Sequence, residues 1–327
     1  MSNPSTSDRR STGISGVTAR AIAVACVSAA LIPLASCSSS TPATTAKQPS
    51  FATPEEAVKK LGAAVKDKNP EAVRAIFGPD AKDLVDTSDA NAALRRRQVF
   101  RVAMKEGWKL EDAGADKRTL VVGNEGWPFP VPIVKGADGW HFDTAAGKEE
   151  VVARRIGRNE LAAILVCRTY ARAQHLYAKH GHDGKKAGLY AKALASDPGR
   201  ENGLYWAPAK GRHRSPLGDL MAQAAADGHA PAAAGQAPSP FHGYYFRILT
   251  AQGPAAQGGA TDYVVKGELA GGFALVAWPA LYDATGVMTF VVNQDGVVRQ
   301  SDLGPAADGA GTAVSLYNPD ASWTAVN

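Results

Sequence analysis

Apolar residues recur along this chain in successive rhythms, first helical, then in short alternating runs, then helical again and finally strand-like. Ala57, Val58, Leu61, Ala64 and Val65 keep helical spacing behind Thr53-Pro54-Glu55-Glu56. That tetrapeptide is a capping box with proline at the first helical position, so a helix starts there. Asn69-Pro70-Glu71 opens a second, short helix through Val73, Ile76 and Phe77, which Gly78 stops. A third helix is predicted over Leu94 to Met104, followed by strands at Thr119 to Val122, Phe129 to Val134 and Gly139 to Asp143.

The pattern returns to helix between Thr144 and Ala178. It predicts one segment over Gly147 to Ile156, a break at Gly157-Arg158-Asn159-Glu160 with Asn159 as a new cap, and a second segment over Leu161 to Tyr177. Arg168, Arg172 and His175 fall in one sector of that second segment. Ile164, Val166, Cys167, Tyr170, Ala173 and Tyr177 fill the others, the mark of a packed central helix. Gly199 to Pro240 is rich in glycine, proline and alanine, with a short helix over Leu217 to Ala226 and a loop over His229 to Pro240. Strands follow at His242 to Ala251, Thr261 to Leu269, Gly271 to Ala280, Gly286 to Asn293 and Val297 to Gln300, with Gln294-Asp295-Gly296 as the hairpin between the last two. A helix followed by an antiparallel meander makes the fold class α+β.

The first 36 residues read differently. Arg9, Arg10 and Arg20 precede an uncharged apolar run from Ala21 to Ala35, the layout of a secretory signal. Fifteen helical residues rise about 22 Å, short of the hydrocarbon core a permanent span must cross. The run closes on Leu34-Ala35-Ser36-Cys37, which resembles the lipobox of bacterial lipoproteins. The resemblance implies cleavage before Cys37, acylation of its thiol, and a Ser/Thr/Ala-rich tether leading to the folded part. Ser38 in the next position implies, in a diderm host, the periplasmic face of the outer membrane. Residues 1–36 are thus read as signal, 37–50 as tether, 51–143 as a first domain and 144–327 as a second. Arg9-Arg10 resembles a twin-arginine signal, but Ser11-Thr12-Gly13 lacks the apolar pair that route uses.

Thr53-Pro54-Glu55-Glu56-Ala57 at one end and Gly139-Trp140-His141-Phe142-Asp143 at the other make residues 51–143 similar to the cone-shaped α+β domains of the nuclear-transport-factor-two-like group. From Phe142 to Val326 the likeness is longer. Arg155 to Ala162, Gly203-Leu204-Tyr205-Trp206, Ser215-Pro216-Leu217-Gly218, His242 to Gly253 and Gly271 to Pro279 resemble DUF2950, a family of exported bacterial proteins of unknown function. More loosely, Ala171 to Gln174 and Thr285 to Val298 are similar to the head of type IV pilins, a long helix laid on an antiparallel sheet. A pilin starts with a processed hydrophobic helix that drives assembly, whereas this chain carries a lipobox and another domain ahead of the helix.

Composition narrows the classes. With 327 residues, 45% hydrophobic and 20% charged, the chain is long enough for about two domains. The net charge of +5 reads as a small excess spread over the chain, which argues against nucleic acid as a partner. Of Cys26, Cys37 and Cys167, only the last remains free in a lipidated product, so no internal disulfide is expected and Cys167 reads as buried and inert. His175, His180, His182 and Asp183 are the densest group of ligand types, but Gly181 and Gly184 between them favour a solvated turn over a metal site. Lys185-Lys186 beside Gly184 has no following Ser or Thr and is no phosphate loop. No Gly-x-Ser-x-Gly elbow or His-Glu-x-x-His occurs, and no cofactor is implied.

Tyr205, Trp206, His242, Tyr244 and Tyr245 gather aromatic rings near glycines and form the candidate binding surface. The function expected from these residues is that of a lipid-anchored envelope protein that binds a protein or polymer without catalysis. Two alternatives stay open: an envelope hydrolase using groups around His242 and Asp262, and a carrier of a small apolar ligand in the first domain.

Overall fold

Proline and glycine set the local starts and stops in the computed structural model, which describes residues 48–85, 90–226, 239–305 and 313–326. Helix α1 spans Pro54–Lys66, and the Thr53 hydroxyl caps it by accepting from the Glu56 amide at 3.2 Å. The Glu56 carboxylate reaches back to the Ala52 amide at 3.1 Å. Helix α2, Pro70–Phe77, is capped the same way by Asn69 and ends at Gly78. A 3₁₀ turn leads into α3, Lys82–Val85, and then α4, Ala90–Glu106. Five strands follow: β1 Trp108–Asp112, β2 Lys117–Val122, β3 Trp127–Pro128, β4 Ile133–Gly136 and β5 Gly139–Phe142. They pair antiparallel in the order β1-β2-β4-β5, with β3 beside β2. The strand expected over Phe129 to Val134 starts only at Ile133, because Pro128, Pro130 and Pro132 remove the amides a ladder needs.

Leu61, Leu120, Ile133 and Phe142 are sealed between these helices and this sheet. Each such side chain contributes roughly 1.5–3 kcal/mol by leaving water. Phe77, Phe129 and Phe142 fill the middle, with ring centroids 5.0–6.3 Å apart.

Strand β5 runs straight into α5, Thr144–Ala178, a helix about 52 Å long. The break expected at Gly157 to Glu160 does not form. Asn159 is not a cap; its amide donates to the Thr285 carbonyl at 2.8 Å, and the Glu160 carboxylate accepts from the Val287 and Met288 amides. These long-range bonds satisfy the groups that would otherwise have opened a new helix start. The helix is central, as its pattern suggests, yet Leu161, Leu165 and Leu176 remain exposed.

After α6, Gly218–Ala226, the chain enters a second sheet. Its members are β6 Tyr244–Leu249, β11 Ala274–Pro279, β12 Thr289–Asn293, β13 Arg299–Ser301 and β14 Thr324–Ala325; between β6 and β11 lie the short β7 Ala251–Gln252, β8 Thr261–Asp262, β9 Val264–Val265 and β10 Glu268–Leu269. The order β14-β13-β12-β11-β6 is antiparallel throughout. The single strand expected over Thr261 to Leu269 is instead folded on itself: Lys266 and Gly267 both have positive φ, 51° and 80°, and turn β9 back onto β10. Helix α5 packs across β11 and β12. The described residues hold two hydrophobic cores, and α5 gives Ala163, Cys167, Tyr170 and Tyr177 to the second of them. Helices and antiparallel sheets together make the chain α+β. Among the described residues no helix is long and apolar enough to cross a membrane. The signal, Cys37 and most of the loop expected at His229 to Pro240 lie outside the described residues.

Candidate functional site at the end of the long helix

The last turn of α5 delivers Tyr177 and Ala178 to a stretch without regular structure, 179–217, which must satisfy its own backbone. Side chains do this work. His182 is buried, with its ring 4.0 Å from the Tyr177 ring and nearly parallel to it, and 5.5 Å from the Trp206 ring. Its Nδ1 lies 3.1 Å from the Glu201 carboxylate and its Nε2 3.1 Å from the Tyr177 carbonyl. The two contacts hold the ring in place between the Glu201 side chain and the last turn of α5. The Tyr177 hydroxyl donates to the Glu201 carbonyl at 2.8 Å, and burial, with Asp183 and Glu201 nearby, pushes that phenol up to about 12.

Asp183 ties the next layer. It sits in the left-handed region at φ 49°, and its carboxylate accepts from the Glu201 amide and the Arg200 guanidinium, each at 3.1 Å. Desolvation works against the ionised form, but the Glu201 amide and Arg200 outweigh it and hold the carboxyl below its ordinary range. Gly181 allows the turn to close: a Cβ there would lie 2.3 Å from the Lys185 carbonyl. Trp206 is buried and donates from its indole to the His213 carbonyl at 2.9 Å, which lays His213 against His180 with ring centroids 5.5 Å apart and planes within 10°. Arg212 donates to the Gly199 carbonyl.

The outer surface of this scaffold is cationic. Residues 179–214 hold eight lysines and arginines against three acids, while over the rest of the chain the two signs cancel. The excess is therefore concentrated, not spread as the overall figure suggested. Lys185 and Lys192 share Glu268, at 2.9 and 3.9 Å; Arg200 pairs with Asp183, and Arg214 with Asp219. Lys179, Lys186 and Lys210 are exposed and stand in no ion pair among the described residues. Neither Lys179 nor the basic run near Lys210 stood out in the linear sequence; a running charge count over about 35 residues would have found them.

The five aromatic residues expected to form one surface fall into two groups. Tyr205 is half-buried in a parallel bridge with Ala195, and Trp206 lies beside Tyr177 at the end of α5. Tyr244 is fully buried, donates to the Met288 carbonyl at 2.9 Å and sits by Glu160; its phenol is raised by burial first and by Glu160 second. Glu160 and Tyr177 are 17 residues apart on α5, about 25 Å. Tyr245 packs on Trp278, and His242 turns the chain into β6 at φ 47° with its ring against Phe241. His242 and Asp262 lie beyond opposite ends of β6, a strand of about 20 Å, and the Asp262 carboxylate accepts from the Val264 amide. They do not meet.

The four ligand-type residues near the helix end also diverge. His175 contacts the Gln294 carbonyl, while His180, His182 and Asp183 face His213, Glu201 and Arg200. Among the described residues no group of three or more such side chains could hold a metal. Cys167 is buried, and burial pushes its thiol up to about 12. On the second sheet a cavity of about 320 Å³ is lined by Val291, Leu303, Val314, Leu316, Asn318 and Trp323, among others, with no titratable side chain.

The sequence profile of the family described as a protein of unknown function, DUF2950, matches residues 48–326. The chain belongs to that family. The match runs through both cores, α5 and the cationic stretch, so the family spans both sheets and not the second alone. No curated protein and no solved structure matches the chain.

Proposed function

We propose that this protein is a lipid-anchored component of the cell envelope that binds a partner without catalysis, and that the binding surface is the one at the end of α5. The concentration of the whole net charge on 179–214, held out from a rigid buried scaffold, is the observation that carries the reading. Acylation at Cys37 would tether the folded part beyond the cytosol, on the periplasmic face of the outer membrane in a diderm host. The first lobe serves as a second, structural body, since phenylalanine rings already occupy its centre. That packing gives the apolar-carrier alternative no support, and the separation of His242 from Asp262 gives none to the hydrolase.

The test is cross-linking in intact cells followed by mass spectrometry, run on the wild type and on Cys37→Ser. The proposal expects reproducible envelope adducts centred on 179–214 in the wild type and their loss, with altered fractionation, in the variant. Identical mass, fractionation and adducts for the two chains would sink the anchored reading.

A further inference from the structure

Successive parts of the 179–214 stretch, with Glu268 from farther along the chain, converge on the cationic surface. Lys179 to Lys186 is pinned by Asp183 to Arg200, Lys185 and Lys192 straddle Glu268, and Lys210 to Arg214 is drawn in by the His213 carbonyl and by Arg212 on Gly199. Most acids of the cluster are committed, Asp183 to Arg200, Glu201 to His182 and Glu268 to two lysines, while the exposed Asp197 accepts from the Asn202 side-chain amide. What faces solvent is predominantly cationic. Lys179, Lys186 and Lys210 offer ammonium groups, and none of the exposed large apolar side chains falls within 179–214. A protein partner of ordinary kind would need an aromatic or aliphatic anchor at the centre of its contact. Within 179–214 the surface has charge without an apolar anchor, and the exposed large apolar side chain next to it in the chain is a single one, Leu176, one turn before Lys179. That combination suits a linear polyanion, whose attraction comes from released counterions and needs no apolar centre. Lysine and arginine donors side by side match phosphate oxygens, each of which accepts from more than one donor.

Resting on the binding-module reading, we infer that the surface formed by Lys179, Lys186, Lys210 and Arg212 is a docking site for a linear phosphate polymer of the envelope. The experiment measures fluorescence anisotropy of labelled long-chain polyphosphate with the full chain purified in detergent, over a series of salt concentrations. One variant is Lys179→Gln/Lys186→Gln/Lys210→Gln; the control is Lys59→Gln/Lys60→Gln/Lys66→Gln on α1, which removes the same charge from the other lobe. The surface variant should weaken binding on the order of tenfold and lower the log–log salt slope by about 2, at roughly 0.7 per lost contact. The control should leave both unchanged. Equal losses in the two variants, or no binding by the wild type, overturn the inference. So does tighter binding of single-stranded DNA, or equal binding of polygalacturonate or polyglutamate, because each assigns the surface to another polymer. Envelope cross-links that survive the surface variant keep the binding-module reading while removing this one. Polyphosphate binding that persists when Cys37→Ser changes nothing in cells does the reverse.

Discussion

At its first turn α5 disappears into a core, and at its last it holds up an open, charged surface. The Thr144 hydroxyl donates to the Phe77 carbonyl at 2.5 Å and Gly147 lies so close to Val131 that a Cβ would approach its methyls within 2.8 Å. Asp143 caps that end by accepting from the Ala146 amide at 3.0 Å. At the other end Tyr177, His182, Glu201 and Trp206 form a smaller buried pillar, and the chain around it spends its outer side chains on cations. The contrast teaches that one rigid element can be anchored by packing at one end and present chemistry at the other, where irregular backbone is tied by side-chain bonds.

Breaking the pillar should have the largest effect. His182→Ala removes the ring between Tyr177 and Trp206 and leaves the Glu201 carboxylate, 16% exposed, without its counterpart. The expected loss is about 1–3 kcal/mol in urea unfolding, the cost of leaving a buried hydrogen-bond partner unsatisfied; a loss under about 0.5 kcal/mol, the scale of a surface change, would show that the pillar is not structural. Gly147→Ala tests the other end. Overpacking against Val131 should cost about 1–3 kcal/mol, read as a lower Tm with no change in polyphosphate binding. Asp143→Ala removes the cap and should cost about 1 kcal/mol.

The pH response separates the two ends further. Because the Asp183 carboxyl is held below its ordinary value of 3.8, its contribution is complete above that value and is lost as pH falls through the lower, folded value. Asp183→Asn should therefore be less stable than the wild type near neutrality and converge with it in acid, as followed by thermal melts across pH. A gap that persists unchanged at the acid end would mean that Asp183 acts through shape alone. Smallest of all, the triple lysine variant of the cationic surface should change stability by less than about 0.5 kcal/mol, since exposed charges outside an ion pair contribute little to folding.

Much of this molecule is determined by local sequence. The Thr53 and Asn69 caps, the stop at Gly78, the α6 segment and the turn at Gln294 to Gly296 all act within a few residues, so their physics is present in the linear pattern. The α+β class follows from the same periodicities. Only the tertiary structure decided that α5 is unbroken, because Asn159 and Glu160 find partners 126 to 128 residues away. It likewise divided the five aromatic residues between two places, since the alternation of a strand and the pitch of a helix say which face a ring takes but not which other element covers it. The cationic surface stands between these cases: its charges are countable along the chain, but which acids pair, and which lysines stand outside ion pairs among the described residues, emerges only once the chain is folded and ion pairs are chosen by distance.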